Sequence, residues 1–177
     1  MSVLGIDQIT YGAADLPRCR QFFLDWGLAL VSEAPQELVF ESLNGCRVVV
    51  AHSDKVGLPA GVEPDPTLRE VVWGVDSPES LARYRSRLQG QPGFVDADGR
   101  IGCTDPNGLA IRLQLTKKRA VKIESALTNT WSERKRVNQR SPAYERATPV
   151  EVGHVVFFVT DLQATGAFYV DQLDFVV

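Results

Sequence analysis

The sequence predicts an α+β fold assembled from tandem β-α-β-β-β modules, the third of them truncated. Two observations carry that expectation: a stretch near the N-terminus recurs near the C-terminus, and hairpin chemistry follows each of the first two predicted helices. Length and composition agree. A chain of 177 residues with 44% hydrophobic and 23% charged residues is globular in character, which excludes wholesale disorder or a fibrous repeat.

The repeat is seen by shifting the chain by 146 positions, which aligns Asp15 with Asp161, Leu16 with Leu162, Phe22 with Phe168 and Asp25 with Asp171. A weaker middle copy opens at Glu70-Val71-Val72-Trp73-Gly74-Val75-Asp76. Each copy begins with about seven residues rich in Val, Ile, Phe and Tyr and free of proline, the pattern of a strand. A capping residue follows. Asp15, Ser77 and Asp161 can each accept from the orphan N–H groups of a helix start, and Pro78 suits the first helical position because its missing donor costs nothing there. This role accounts for Asp15 and Asp161 without catalysis. In the third helix Leu162, Phe168 or Tyr169, and Leu173 fall on one face, which is expected to lie against the strand before it.

Runs at 38–43 and 47–51 flank Asn44-Gly45, while Asp98-Gly99 and Asp105-Pro106-Asn107-Gly108 separate short runs that end with 109–115. Such dipeptides supply the positive φ angles that tight hairpins need. Units at 3–52 and 69–115 result, joined by a Pro/Gly-containing stretch over 53–67. The third copy reaches the first residues of its second strand. Val152–Val159 would then be a strand with an unpaired edge, which favours pairing with another chain, so a homo-oligomer is expected.

Other classes are set aside by composition. No apolar run approaches the roughly 18–20 residues of a membrane helix. The N-terminus lacks a signal peptide's cationic start, so a cytoplasmic protein without a membrane partner is expected. Cys19, Cys46 and Cys103 show no Cys-x-x-Cys spacing and read as small core residues. Trp26 and Trp73 likewise read as core anchors. The net charge of −3 gives no general argument for nucleic acid. Residues 117–149 hold nine Lys or Arg against three Glu, together with Trp131 and Tyr144, and read as a solvated basic linker.

Paired β-α-β-β-β units with Asp-Leu after the opening strand, Phe-Tyr in the helix and Asp-Pro-Asn-Gly before the last strand resemble the vicinal oxygen chelate superfamily. That group includes glyoxalase I, bleomycin-resistance proteins and type I extradiol ring-cleavage dioxygenases. The resemblance covers everything but the linkers, and it implies that two units pair into a cup-shaped mixed sheet. Metal ligands in such proteins come from the first and last strands. The family's histidine stands seven residues before the Asp of Asp-Leu, a position held here by Gln8, Glu70 and His154 in the three copies. Its acidic ligand position falls on Val49 and Arg112. Gln8, Val49, Glu70 and Arg112 are therefore degenerate metal positions, offering one carboxylate and one cation where two His and a carboxylate are wanted. An Arg112–Glu70 ion pair is expected to fill the cup.

The resemblance further implies an extradiol-type organisation: a metal-less N-terminal domain at 3–116, the linker at 117–149, and a catalytic half opening at 150–177. Fe(II), with Mn(II) as a substitute, would be held by His154 and by ligands beyond residue 177, in a protein of greater length. The substrate would be a catecholic aromatic compound touched by Val156 and Phe158. Pattern alone makes His154 a core histidine among apolar neighbours, and the repeat registration makes it a ligand. His52 matches no ligand position and reads as a surface residue. Asp174 stands where the family prefers Gly, and tolerates the left-handed backbone needed there less well. Two other functions fit the same residues: a metal-free cup that binds a small molecule, as resistance proteins do, and a glyoxalase-type isomerase.

Overall fold

A computed structural model describes residues 2–122, 129–138, 140, 143, 145–156 and 158–176. Tyr144, Phe157 and Val177 lie outside the described residues. The elements are β1 (Val3–Ala13), α1 (Leu16–Asp25), β2 (Ala29–Ala34), β3 (Glu37–Glu41), β4 (Arg47–His52), β5 (Thr67–Val75), α2 (Pro78–Leu88), β6 (Val95–Ala97), β7 (Arg100–Thr104), β8 (Ala110–Leu115) and α3 (Leu162–Leu173). Among the described residues the strands form one eight-stranded sheet in the order β2-β3-β4-β1-β5-β8-β7-β6. β1 and β5 meet antiparallel at the centre, with Thr10 opposite Glu70, and each is flanked by the parallel last strand of its own unit, β4 or β8. Two β-α-β-β-β units thus face each other across β1 and β5, as expected of an α+β mixed sheet.

Side-chain alternation makes the two faces chemically different. Ile9, Leu38, Phe40, Val48, Val50 and Val71 turn to the α1 side and are buried there with Phe23. Val75, Ile101, Cys103, Ile111 and Leu113 form the equivalent cluster under α2, around Tyr84 and Leu88. Trp73 packs against both. Each fully buried side chain of this size contributes roughly 1.5–3 kcal/mol. The intervening residues, Gln8, Thr10, Val39, Arg47, Val49, Glu70, Arg100 and Arg112, turn the other way and line the cup.

The turns form where the sequence places them. Asp98 and Gly99 both have positive φ, 54° and 73°, which is the backbone of a two-residue hairpin between β6 and β7. Asp105 Oδ1 accepts from the amides of Asn107 and Leu109, each at 2.9 Å, and so shapes the turn into β8. β3 ends at Glu41 rather than at Leu43, because the amide of Ser42 already donates to the Cys46 carbonyl and starts the turn. The three caps are present: Asp15 to Arg18 N at 2.9 Å, Ser77 to Ser80 N at 3.2 Å, and Asp161 to Ala164 N at 2.9 Å.

The last segment departs from expectation. Among its described residues, 152–159 is irregular chain, not a strand. It crosses the α1 side of the sheet, where Val152 and Val155 pack on the core, but the strands beneath, β1 and β4, already have both edges paired. Just before it, the carbonyls of Pro149 and Val150 accept from the amides of Leu43 and Asn44. Consequently α3 does not lie on a strand of its own. Phe168 and Leu173 enter the α2 cluster, and Tyr84 Oη donates to the Leu173 carbonyl at 3.2 Å. Leu162, expected on the buried face, is 79% exposed, and Thr165 takes an inward place instead.

Asp174 adopts the left-handed backbone, with φ 57°. Its carboxylate is held by Arg87 at 2.6 Å and by the Tyr84 hydroxyl at 3.2 Å, which offsets the conformation that glycine would take more easily. Trp26 also departs from its expected place: it is 57% exposed, stacked beside Phe22 and Phe23 at the end of α1. Cys46 and Cys103 are buried, Cys19 is half-buried, and all three are free thiols. Burial pushes the Cys103 thiol up to about 11, so it stays protonated at neutral pH. Within 117–149, Arg119 reaches back to Glu41 and the Leu43 carbonyl, and Trp131 is fully exposed. No helix among the described residues is long and apolar enough to cross a membrane.

Candidate functional site

The four residues expected at degenerate metal positions do come together. Gln8, Val49, Glu70 and Arg112 sit on the four central strands and line one cavity of about 410 Å³. Register explains the convergence. Gln8 lies opposite Val72 and Val72 opposite Arg112, while Thr10 lies opposite both Val49 and Glu70. All therefore emerge on the concave face.

Arg112 Nε lies 3.3 Å from Glu70 Oε2, with both side chains about one-seventh exposed. This is the expected ion pair. Its guanidinium is fixed further by Nη1, which donates to the carbonyls of Ile111 at 2.8 Å and Cys103 at 3.1 Å. Gly102, opposite Arg112 in the ladder, makes room for it: a Cβ there would stand 2.6 Å from Arg112 Cδ and 2.0 Å from the Ile111 carbonyl oxygen. With Val49 lacking a donor atom and Glu70 engaged by a cation, these residues do not suit a divalent metal.

Other charged groups ring the same cavity and carried no sequence motif. Lys55 pairs with Glu37, and Arg47 Nε with Glu41 at 3.0 Å. Arg100 is different. Its Nε donates to Gln114 Oε1 at 2.9 Å and its Nη2 to Gln8 Oε1 at 3.2 Å, so two neutral amides hold it. Gln114 in turn donates to Asp7, whose buried carboxylate also accepts from Thr116 and the Lys117 amide. The one available signal for Arg100 was its place directly after the Asp98-Gly99 turn, where alternation along β7 sends it to the face opposite Ile101.

His154 is elsewhere. It is exposed on the irregular segment and borders a second cavity, of about 420 Å³, on the α1 side of the sheet. That cavity is mostly apolar, lined by Ile9, Tyr11, Phe23, Trp26 and Val48 among others. Burial raises the Tyr11 phenol above its ordinary value. Val156 and Phe158 are 84% and 81% exposed on the same segment and line neither of these cavities. Among the described residues no three His, Cys, Asp or Glu side chains are grouped as metal ligands. His52 Nδ1 accepts from the Asp54 amide at 3.2 Å near the end of β4, outside the cup lining.

No family model and no curated protein sequence matches the chain. Solved structures do. A Mn(II)-bound glyoxalase from Novosphingobium aromaticivorans superposes with a TM-score of 0.67 at 20% identity, over 100% of this chain and 55% of its own. A catechol 2,3-dioxygenase superposes with a TM-score of 0.60 at 14% identity, over 96% of this chain and 58% of its own. The chain thus spans little more than half the length of the proteins it resembles. Paired β-α-β-β-β units, a shared concave face and these two superpositions give the chain the vicinal oxygen chelate fold.

Proposed function

We propose that residues 3–116 are the metal-free N-terminal domain of an extradiol-type ring-cleavage dioxygenase, that 117–149 links it to a catalytic half, and that His154 is that half's first Fe(II) ligand. The observation that carries this reading is the filled cup. The Arg112–Glu70 pair stands on the metal positions of the first two units, while His154 alone keeps an imidazole at the repeat's ligand register. A site at His154 requires ligands beyond those described here, and the likeness to proteins of nearly twice this length is consistent with that. Fe(II), or Mn(II) in its place, would supply the Lewis acidity and oxygen chemistry of ring cleavage. Among the described residues there is no complete ligand set for it.

The test is metal analysis and turnover of the intact protein. About one iron per chain, lost in His154→Ala, together with a coloured ring-opened product from a catechol, is the expected result. Iron retained in His154→Ala overturns the ligand assignment. Turnover of methylglyoxal–glutathione in place of catechol moves the protein to the glyoxalase-type isomerases. One observation favours a different class: the cup is a polar cavity of small-molecule size, which suits a binding module.

A further inference from the structure

We propose that the cup binds a small carboxylic acid, with its carboxylate on Arg100 and its apolar body on the facing wall, without a metal. The inference does not depend on ring cleavage or on His154. It begins with the cup's charges. Arg112 is matched by Glu70 and Lys55 by Glu37, while Arg47 shares Glu41 with Arg119. Among the described residues Arg100 has no carboxylate at ion-pair distance, and its partners are the amide oxygens of Gln114 and Gln8. Neutral amides orient a guanidinium without cancelling its charge. A half-buried, oriented cation with no carboxylate at ion-pair distance, its nearest link to one running through Gln114 to Asp7, is stabilised by an anion that enters the cavity it faces.

The shape of the anion follows from the rest of the lining. A guanidinium steadied at two nitrogens presents a planar edge, which matches a carboxylate. Val39 and Val49 are neighbours in the ladder between β3 and β4, and Leu58 and Pro59 come from the loop after β4, so an apolar wall lies within the same cavity. That loop is anchored at both ends. Lys55 is tied to Glu37, and Arg69 binds the Pro59 carbonyl and Asp65. A volume of about 410 Å³ falls in the range of small-ligand sites, and a pre-formed rim lowers the ordering cost of binding. Gln8 stands at the position the family resemblance implies for a metal-binding histidine, and its amide oxygen holds a cation.

The experiment is calorimetric titration of the full chain, in buffer containing EDTA, with benzoate, benzamide and inorganic phosphate. Benzoate is expected to bind, and the neutral benzamide to bind at least about tenfold more weakly, the loss of a charge-assisted hydrogen bond. Arg100→Gln is expected to weaken benzoate by about tenfold or more on the same grounds. Should that variant fail to fold, Val49→Trp fills the cup from the other wall and is expected to abolish binding, with circular dichroism confirming the fold. Absence of benzoate binding, equal affinity in Arg100→Gln, unchanged affinity in Val49→Trp, or phosphate binding as tightly as benzoate would each overturn the proposal. Iron content and catechol turnover are read on separate samples, so failure of the ring-cleavage reading leaves this titration unaffected.

Discussion

Residues 3–25 and 150–173 carry the same pattern, yet only half of it has the same outcome. Asp15 and Asp161 cap helices with the same hydrogen bond, 2.9 Å to the amide three residues on. The apolar run before Asp15 is one of the two strands at the centre of the sheet, whereas the described residues of the run before Asp161 form no strand. A helix satisfies its own backbone from residues four apart, so its signal is complete within the segment. A strand's backbone is satisfied only by a neighbour. β1 has β4 and β5. The 152–159 segment meets a face whose nearest strands are already paired; among its described residues Val152 and Val155 pack on the core, and the Phe158 carbonyl accepts from Asn107 Nδ2 at 2.9 Å.

The sharpest way to break this comparison is at the far end of α3. Leu173 is fully buried in the α2 cluster, so Leu173→Ala is expected to cost about 2–5 kcal/mol in chemical denaturation. Leu162→Ala, on the exposed face, should stay within about 0.5 kcal/mol. If the two variants melt alike, α3 is not docked as described.

The middle copy offers an intermediate case, since its strand pairs fully but its ligand register holds Glu70. Arg112→Ala leaves that carboxylate uncompensated. The cost should fall below the about 3–5 kcal/mol of a fully buried pair, because both side chains keep some exposure. Replacing both Arg112 and Glu70 with Met should recover most of it, measured as a double-mutant cycle. A smaller effect tests the caps. Asp15→Ala and Asp161→Ala should each cost about 0.5–2 kcal/mol, and a markedly cheaper Asp161→Ala would mean that α3 owes its start to packing.

The smallest effect concerns pH. The Arg87 hydrogen bond, foremost, and the Tyr84 hydroxyl hold the Asp174 carboxyl below its ordinary value of 3.8. A carboxyl depressed in the folded state stabilises fully above its unfolded pKa and loses that contribution as pH falls through the folded value. The α3 end should therefore loosen only under acid, below about pH 4. Amide exchange at Phe175 should report this in the parent protein, and Asp174→Asn should remove the dependence. The corresponding end of α1, capped at Trp26, should show none.

Much of the site was legible through the family resemblance. The ligand offsets it implies from Asp-Leu and Asp-Pro-Asn-Gly brought Gln8, Glu70 and Arg112 into one cup, and the Arg112–Glu70 pair followed from their charges. Arg100 was not legible, because what distinguishes it is an absence of counter-charge, and that depends on which carboxylates the other strands bring near. Trp26 misled because its size suggests a core anchor, while at the C-cap of α1 it stays 57% exposed and borders the cavity on that side of the sheet.

By itself the sequence determined the two units, the three capped helix starts, the hairpin turns and the face on which each strand residue emerges. These depend on contacts a few residues apart. Only the tertiary structure decided that α3 docks beside α2, that His154 stands across the sheet from the cup, and that among the described cations lining the cup Arg100 has no carboxylate at ion-pair distance. Those outcomes depend on competition among distant segments for strand edges, core space and counter-charges, which no local pattern encodes.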